Sequence, residues 1–182
     1  ADFAYDAKYG LRFVAGGGRA SARETVGRVA AGALAEDLLD FAHDVSIVAW
    51  VQTVADVEAP LPDESTITRE HVDGNIVRCP DSQAASAMEE VIEAARKDGD
   101  TVGGILRCVG RSVCLGLGEP VFDKLAAALA VADTSLRAAP GFEIGEGFAS
   151  TKMRGSTHND PFEPDPERRS GGDGIRTRTN FS

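Results

Sequence analysis

Cysteine is scarce in this sequence, and the three copies, Cys79, Cys108 and Cys114, form no CxxC pair. An odd, dispersed set argues against a disulfide framework or a zinc ribbon and fits reduced thiols used for packing in a cytosol-like compartment. Long hydrophobic runs are also missing: none approaches the ~18 to 20 apolar residues that a membrane-crossing helix needs. The opening residues ADFAYDAKYG lack a basic start followed by a hydrophobic stretch, so no address label is read there. Basic side chains are outnumbered, 19 Lys and Arg against 29 Asp and Glu for a net charge of −10. That balance disfavours a nucleic-acid binder, whose affinity depends on cations that displace counterions from phosphate. Aromatics make up only 6% of the 182 residues, but 42% are hydrophobic, an ordinary globular composition that excludes disorder and collagen-like repeats.

What charge there is sits unevenly. Residues 1–30 carry five basic side chains, Lys8, Arg12, Arg19, Arg23 and Arg28, against three acidic ones, a net of +2. Residues 31–100 hold four basic and sixteen acidic groups, a net of −12, and residues 101–182 hold ten of each. The basic island contains GGGRASARE (residues 16–24), which runs into the apolar-periodic positions Val26, Val29, Ala30, Ala33 and Leu34. Ser21 followed by Glu24 is a capping-box pattern and predicts a helix starting near Ser21. Three glycines let the backbone approach a ligand, and helix N-terminal amides with Arg19 and Arg23 beside them suit a phosphate. The same residues also read as a tight strand-to-helix turn with exposed arginines, and the loop alone leaves both open.

The remainder alternates between strand and helix patterns, which predicts an α/β chain with layered α+β character. The first helix should fade near Ala42 and His43. Val45–Val54, apolar at both parities, predicts a strand covered on both faces. Glu58–Ser65 opens a long surface excursion up to Asp81. A second helix, capped by Asp81 or Ser82, should bury Ala84, Met88, Val91 and Ala95 and stop at Gly99. Thr101–Val113 predicts a strand, and GLGEP (residues 116–120) should turn into a third helix with Pro120 at its first position. Gly141–Ser150 reads as extended, and residues 162–174, FEPDPERRSGGDG, as a mobile loop. His43 suits a helix C-terminus, His71 an exposed position, and His158 either a turn or a ligand contact. No histidine pair has metal spacing and no nucleophile has a base beside it.

The string GRASARETVGRVAAGAL (residues 18–34) resembles the glycine-arginine-serine signature of the chorismate synthase family. AKYGLR (7–12), GLGEPVFDKL (116–125), FEIGEGF (142–148), RGSTHNDPF (154–162) and RTRTN (176–180) follow in the family's order, so the resemblance spans essentially the whole chain. It implies a part of the family's β-α-β sandwich fold and a carbon-oxygen lyase of the shikimate pathway. That enzyme makes chorismate, a precursor of aromatic amino acids, from 5-enolpyruvylshikimate-3-phosphate by anti-1,4-elimination of phosphate and a ring proton. The resemblance also implies reduced FMN as cofactor, with NADPH as a source of flavin reduction, and a homotetramer in the cytoplasm, or in the plastid if the source is a photosynthetic eukaryote.

Position by position, Arg19, Ala20 and Ser21 match a flavin-contacting triplet, and Arg137 and Ala138 match a flavin-contacting pair. Family members often carry Ser where Ala20 stands and Asn where Arg137 stands. No catalytic residue is assigned within the chain: the family's Gly-Glu-Ser-His-Gly segment, and a second functional His, would lie upstream of Ala1. A Lys-Pro-Thr-Ser-Ser flavin loop and an Arg-His-Asp segment would lie after Ser182. The resemblance therefore implies that residues 1–182 are the central portion of a single domain, inactive by itself. Two other readings of the glycine loop are a phosphate-loop small-molecule kinase and a non-catalytic flavin- or anion-binding module.

Overall fold

The computed structural model describes residues 2–159, 161–164 and 175–177. Along the chain come α1 (Asp2–Tyr9), two 3-10 turns (Gly18–Ala20 and Ala22–Glu24), α2 (Thr25–His43), β1 (Ser46–Val54), β2 (Val57–Glu58), α3 (Arg69–Asp73) and α4 (Ser82–Lys97). There follow β3 (Gly104–Arg111), α5 (Leu125–Thr134), a 3-10 helix (Gly147–Lys152), α6 (Gly155–His158), β4 (Phe162–Pro164) and β5 (Ile175–Thr177). The mixed α/β class expected from the sequence is present. Two compact units divide these elements: Val26–Leu115, and the described residues of Ala1–Thr25 with Gly116–Ser182.

In the Val26–Leu115 unit, an antiparallel sheet of order β2-β1-β3 forms around the apolar run predicted as a strand. Val48, Trp50, Gln52 and Val54 alternate on the covered face, while Ile47 and Ala49 on the other face are exposed. Among the described residues, α3 and α4 cover one side of the strand, and the cover on both faces that its apolar run suggested is not formed. One core cluster gathers Val54, Ala59, Cys79, Ala84, Ala85 and Met88, and a second gathers Val48, Trp50, Ile67 and Val72. Asp81 caps α4 by accepting the Ala84 amide at 2.7 Å, and Gly99, at φ +70°, lies just past the helix end as predicted.

The excursion between β2 and α4 is more ordered than its sequence suggested. Thr68 caps α3 in a capping box in which His71 takes the place usually held by Glu or Gln. The Thr68 N–H donates to His71 Nδ1 at 3.1 Å. Arg111 of β3 pins this segment by donating from Nε to the Glu64 carbonyl (2.7 Å) and from Nη2 to the Ile67 carbonyl (2.6 Å). Cys79 is fully buried and packs in the core, and burial pushes its thiol pKa up. Cys108 and Cys114 are exposed, so the packing role expected of all three cysteines holds for Cys79.

In the other unit, Pro120 does not begin a helix. Gly118 bridges Lys124, and the Glu119 N–H donates to the Asp123 carbonyl at 2.8 Å, closing a tight loop, so α5 starts only at Leu125. The stretch expected to be extended from Gly141 to Ser150 turns into the 3-10 helix at Gly147. Phe162–Pro164, placed in a mobile loop by sequence, is a strand paired antiparallel with β5, Phe162 opposite Thr177; residues 165–174 of that predicted loop lie outside the described residues.

Candidate functional site

The glycine loop of the basic island is built backbone on backbone. The Ala20 N–H donates to the Gly17 carbonyl at 2.8 Å and the Ser21 N–H to the Gly18 carbonyl at 3.3 Å, closing the first 3-10 turn around Arg19 and Ala20. Ser21, extended at φ −73° and ψ 142°, then caps the second turn: its Oγ accepts the Arg23 amide at 3.4 Å and its carbonyl accepts the Glu24 amide at 3.3 Å. The α-helix begins four residues later than the capping pattern predicted, at Thr25, whose Oγ1 donates to the Ala22 carbonyl at 2.7 Å. The amides of Ala20, Ser21, Arg23 and Glu24 are therefore engaged inside the loop. Two short turns, and not a helix N-terminus at Ser21, set the path of the backbone past Arg19.

Each of the three glycines has a neighbour within 4 Å of the point where a β-carbon would stand, and at Gly18 that point is occupied. At Gly16 the guanidinium of Arg23 lies 3.8 Å from that point, and at Gly17 the Ser21 backbone lies 3.3 Å from it. At Gly18, with φ +51°, the ring of Phe13 lies 2.6 Å away. A side chain at Gly18 would both meet the ring and adopt a left-handed backbone that L residues rarely take. Sequence reasoning missed Phe13; its only trace in sequence is an aromatic five residues before the last of the three glycines.

Arg137 and Ala138 lie in the turn that follows α5, after the Leu136 N–H has bonded back to the Asp133 carbonyl at 3.0 Å. Ala138 holds φ +59°, a left-handed conformation that costs a non-glycine residue about 1 kcal/mol. Arg19, Ala20 and Ser21 on the one hand, and Arg137 and Ala138 on the other, fall in the same compact unit although more than a hundred residues separate them in sequence. His43 ends α2, His71 completes the capping box of α3, and His158 ends α6. Among the described residues, no group of three or more His, Cys, Asp or Glu is arranged to hold a metal ion. None of the described helices is long and apolar enough to cross a membrane.

A family model described as chorismate synthase matches residues 1–180. A chorismate synthase of Synechococcus sp. (strain WH7803) is 55% identical over 182 residues, covering all of this chain and 49% of that protein. One from Synechococcus sp. (strain JA-3-3Ab) is 57% identical, covering all of this chain and 46% of its own length. The chorismate synthase of Methylacidiphilum infernorum (isolate V4) is 51% identical over 183 residues and is covered to 48%. The chain thus spans about half the length of the curated relatives it matches. A solved structure titled "Crystal Structure of Chorismate Synthase" superposes with a TM-score of 0.79 over 99% of this chain and 56% of that one; at 24% identity it speaks for the fold.

Proposed function

The chain belongs to the chorismate synthase family, and from that premise we propose that the protein carrying it converts 5-enolpyruvylshikimate-3-phosphate to chorismate. In this reaction a carbon-oxygen bond to phosphate and a ring carbon-hydrogen bond break across a 1,4-relationship, and a new double bond forms in the ring. The observation that carries the reading is the family match from residue 1 to 180, which includes the Gly18–Leu34 string and with it the glycine loop. Membership displaces the kinase reading of that loop.

Within this reading, Arg19, Ala20 and Ser21 hold reduced FMN from one side and Arg137 and Ala138 from a second segment of the same unit. Support comes from the backbone: a loop of three glycines packed to contact distance, a left-handed alanine at the second segment, and Arg23 beside Gly16. The amides of this loop are used within it, and the cations Arg19, Arg23 and Arg137 suit phosphate groups on both cofactor and substrate. Reduced FMN held there would lend electron density to cleavage of the carbon-oxygen bond and receive it back as the ring proton leaves, so that no net oxidation occurs. The chain's arginines oppose the charge that gathers on that phosphate, where a preorganised cation lowers the barrier without reorganisation. On the same family premise we propose a homotetramer as the assembly and the cytoplasm as the compartment, with NADPH as one of the reductants open to the flavin.

The test is anaerobic turnover of the phosphorylated substrate with photoreduced FMN, followed by chorismate absorbance. Arg19→Ala should weaken FMN binding by about tenfold or more, the size of one charge-assisted hydrogen bond. Unchanged FMN affinity in that variant removes Arg19 from the flavin site.

A further inference from the structure

The geometry points to Phe13 as a positioning residue for the ligand of the glycine loop, acting through Gly18. This rests on the reading that Arg19–Ser21 face the flavin. The Phe13 ring occupies the space in which a β-carbon at Gly18 would stand, with Cγ and Cδ2 both 2.6 Å from that point. Phe13 belongs to neither of the two buried core clusters of the chain, and the contact that places its ring is the one to the Gly18 backbone.

What the contact does follows from the backbone it touches. Gly18 at φ +51° opens the 3-10 turn that holds Arg19 and Ala20, and a glycine crosses between positive and negative φ more readily than any other residue. Three consecutive glycines would otherwise leave the turn one of many conformers, and a ligand would have to pay the ordering entropy on binding. A rigid aromatic ring against the Gly18 α-carbon removes that freedom beforehand. Tight ligand binding is then bought by an apolar contact that makes no hydrogen bond to the ligand. The pairing is also exclusive: only glycine at 18 leaves room for the ring, so Phe13 and Gly18 act as one device.

The test compares Phe13→Ala, Phe13→Tyr and Arg19→Ala with wild type in the full-length protein that carries this chain. It reads amide hydrogen exchange at Ala20 and Ser21 without flavin, FMN affinity by fluorescence quenching, and circular dichroism as a check that each variant is folded. Phe13→Ala should speed exchange at both amides and weaken FMN binding about tenfold, while Phe13→Tyr, which keeps the ring, stays near wild type in both. Unchanged exchange in Phe13→Ala, or a Phe13→Tyr variant as impaired as Phe13→Ala, overturns the role. Weaker FMN binding in Arg19→Ala with full affinity in Phe13→Ala overturns the role of Phe13 alone. Full affinity in both variants, with faster exchange in Phe13→Ala, means that the flavin reading of the loop has failed and the positioning role with it.

Discussion

Gln52 sits on the covered face of β1 with 2% of its surface exposed, and its amide is used at both ends. Trp50 Nε1–H donates to Gln52 Oε1 at 2.8 Å, Gln52 Nε2 donates to the Ala59 carbonyl, and the Ala59 N–H returns to the Gln52 carbonyl at 2.9 Å. A polar group in this position is tolerated because every partner is satisfied, and it ties the β1-β2 turn to the largest buried side chain. Gln52→Ala should lower stability by about 2 to 3 kcal/mol, since it strands the indole N–H and a buried carbonyl together; the midpoint of urea unfolding checks this, and a loss below 1 kcal/mol would mean that water replaces the amide. The sequence pattern could not show the network. In VSIVAWVQTV the glutamine reads as an interruption of an apolar run, and only the β-turn that brings Ala59 back over β1 gives it partners. Phe13 escaped notice for the same reason, because its partner is a backbone atom of a glycine.

At the scale of elements, legibility tracked local chemistry. The α4 helix was readable from end to end because its signals are local: Asp81 accepts the amide of Ala84, Ala84 and Met88 are buried, Val91 and Ala95 are half-buried, and Gly99 takes the left-handed turn after the helix. Asp81→Ala should cost about 1 kcal/mol of stability, read as a downward shift in thermal midpoint, with Asp81→Asn recovering most of it because the amide oxygen still accepts the bond. Helix α3 was not legible: it is five residues long, has a single buried position at Val72, and draws its capping partner from a histidine ring. The start of α5 was misplaced because a proline at a first helical position is a local preference, whereas the Gly118 to Lys124 bridge that holds residues 119–123 out of the helix is a tertiary outcome. Likewise Ser21 does cap, as its type predicts, but it caps a 3-10 turn, and the α-helix waits until Thr25.

On the scale of the whole molecule, two helices lack the cover their composition calls for. Neither α2 nor α5 has a buried residue, although both are predominantly apolar; Phe41 is 89% and Val131 70% exposed. A helix apolar on most sides is a core helix, and left open it is an aggregation surface. The 182 residues expressed alone should therefore elute as aggregates in size-exclusion chromatography, bind a hydrophobic dye and show no turnover of the phosphorylated substrate; a monodisperse, active preparation would refute this. The sequence by itself determined the family, the mixed α/β class, the limits of α4 and the presence of a glycine loop beside cations, because each of these is written in residue type and spacing. Only the tertiary structure decided which face of β1 is covered, that Phe13 fills the space over Gly18, and that Arg19 and Arg137 share one unit. Those outcomes depend on contacts between residues far apart in the chain, and no local preference encodes which distant backbone will arrive.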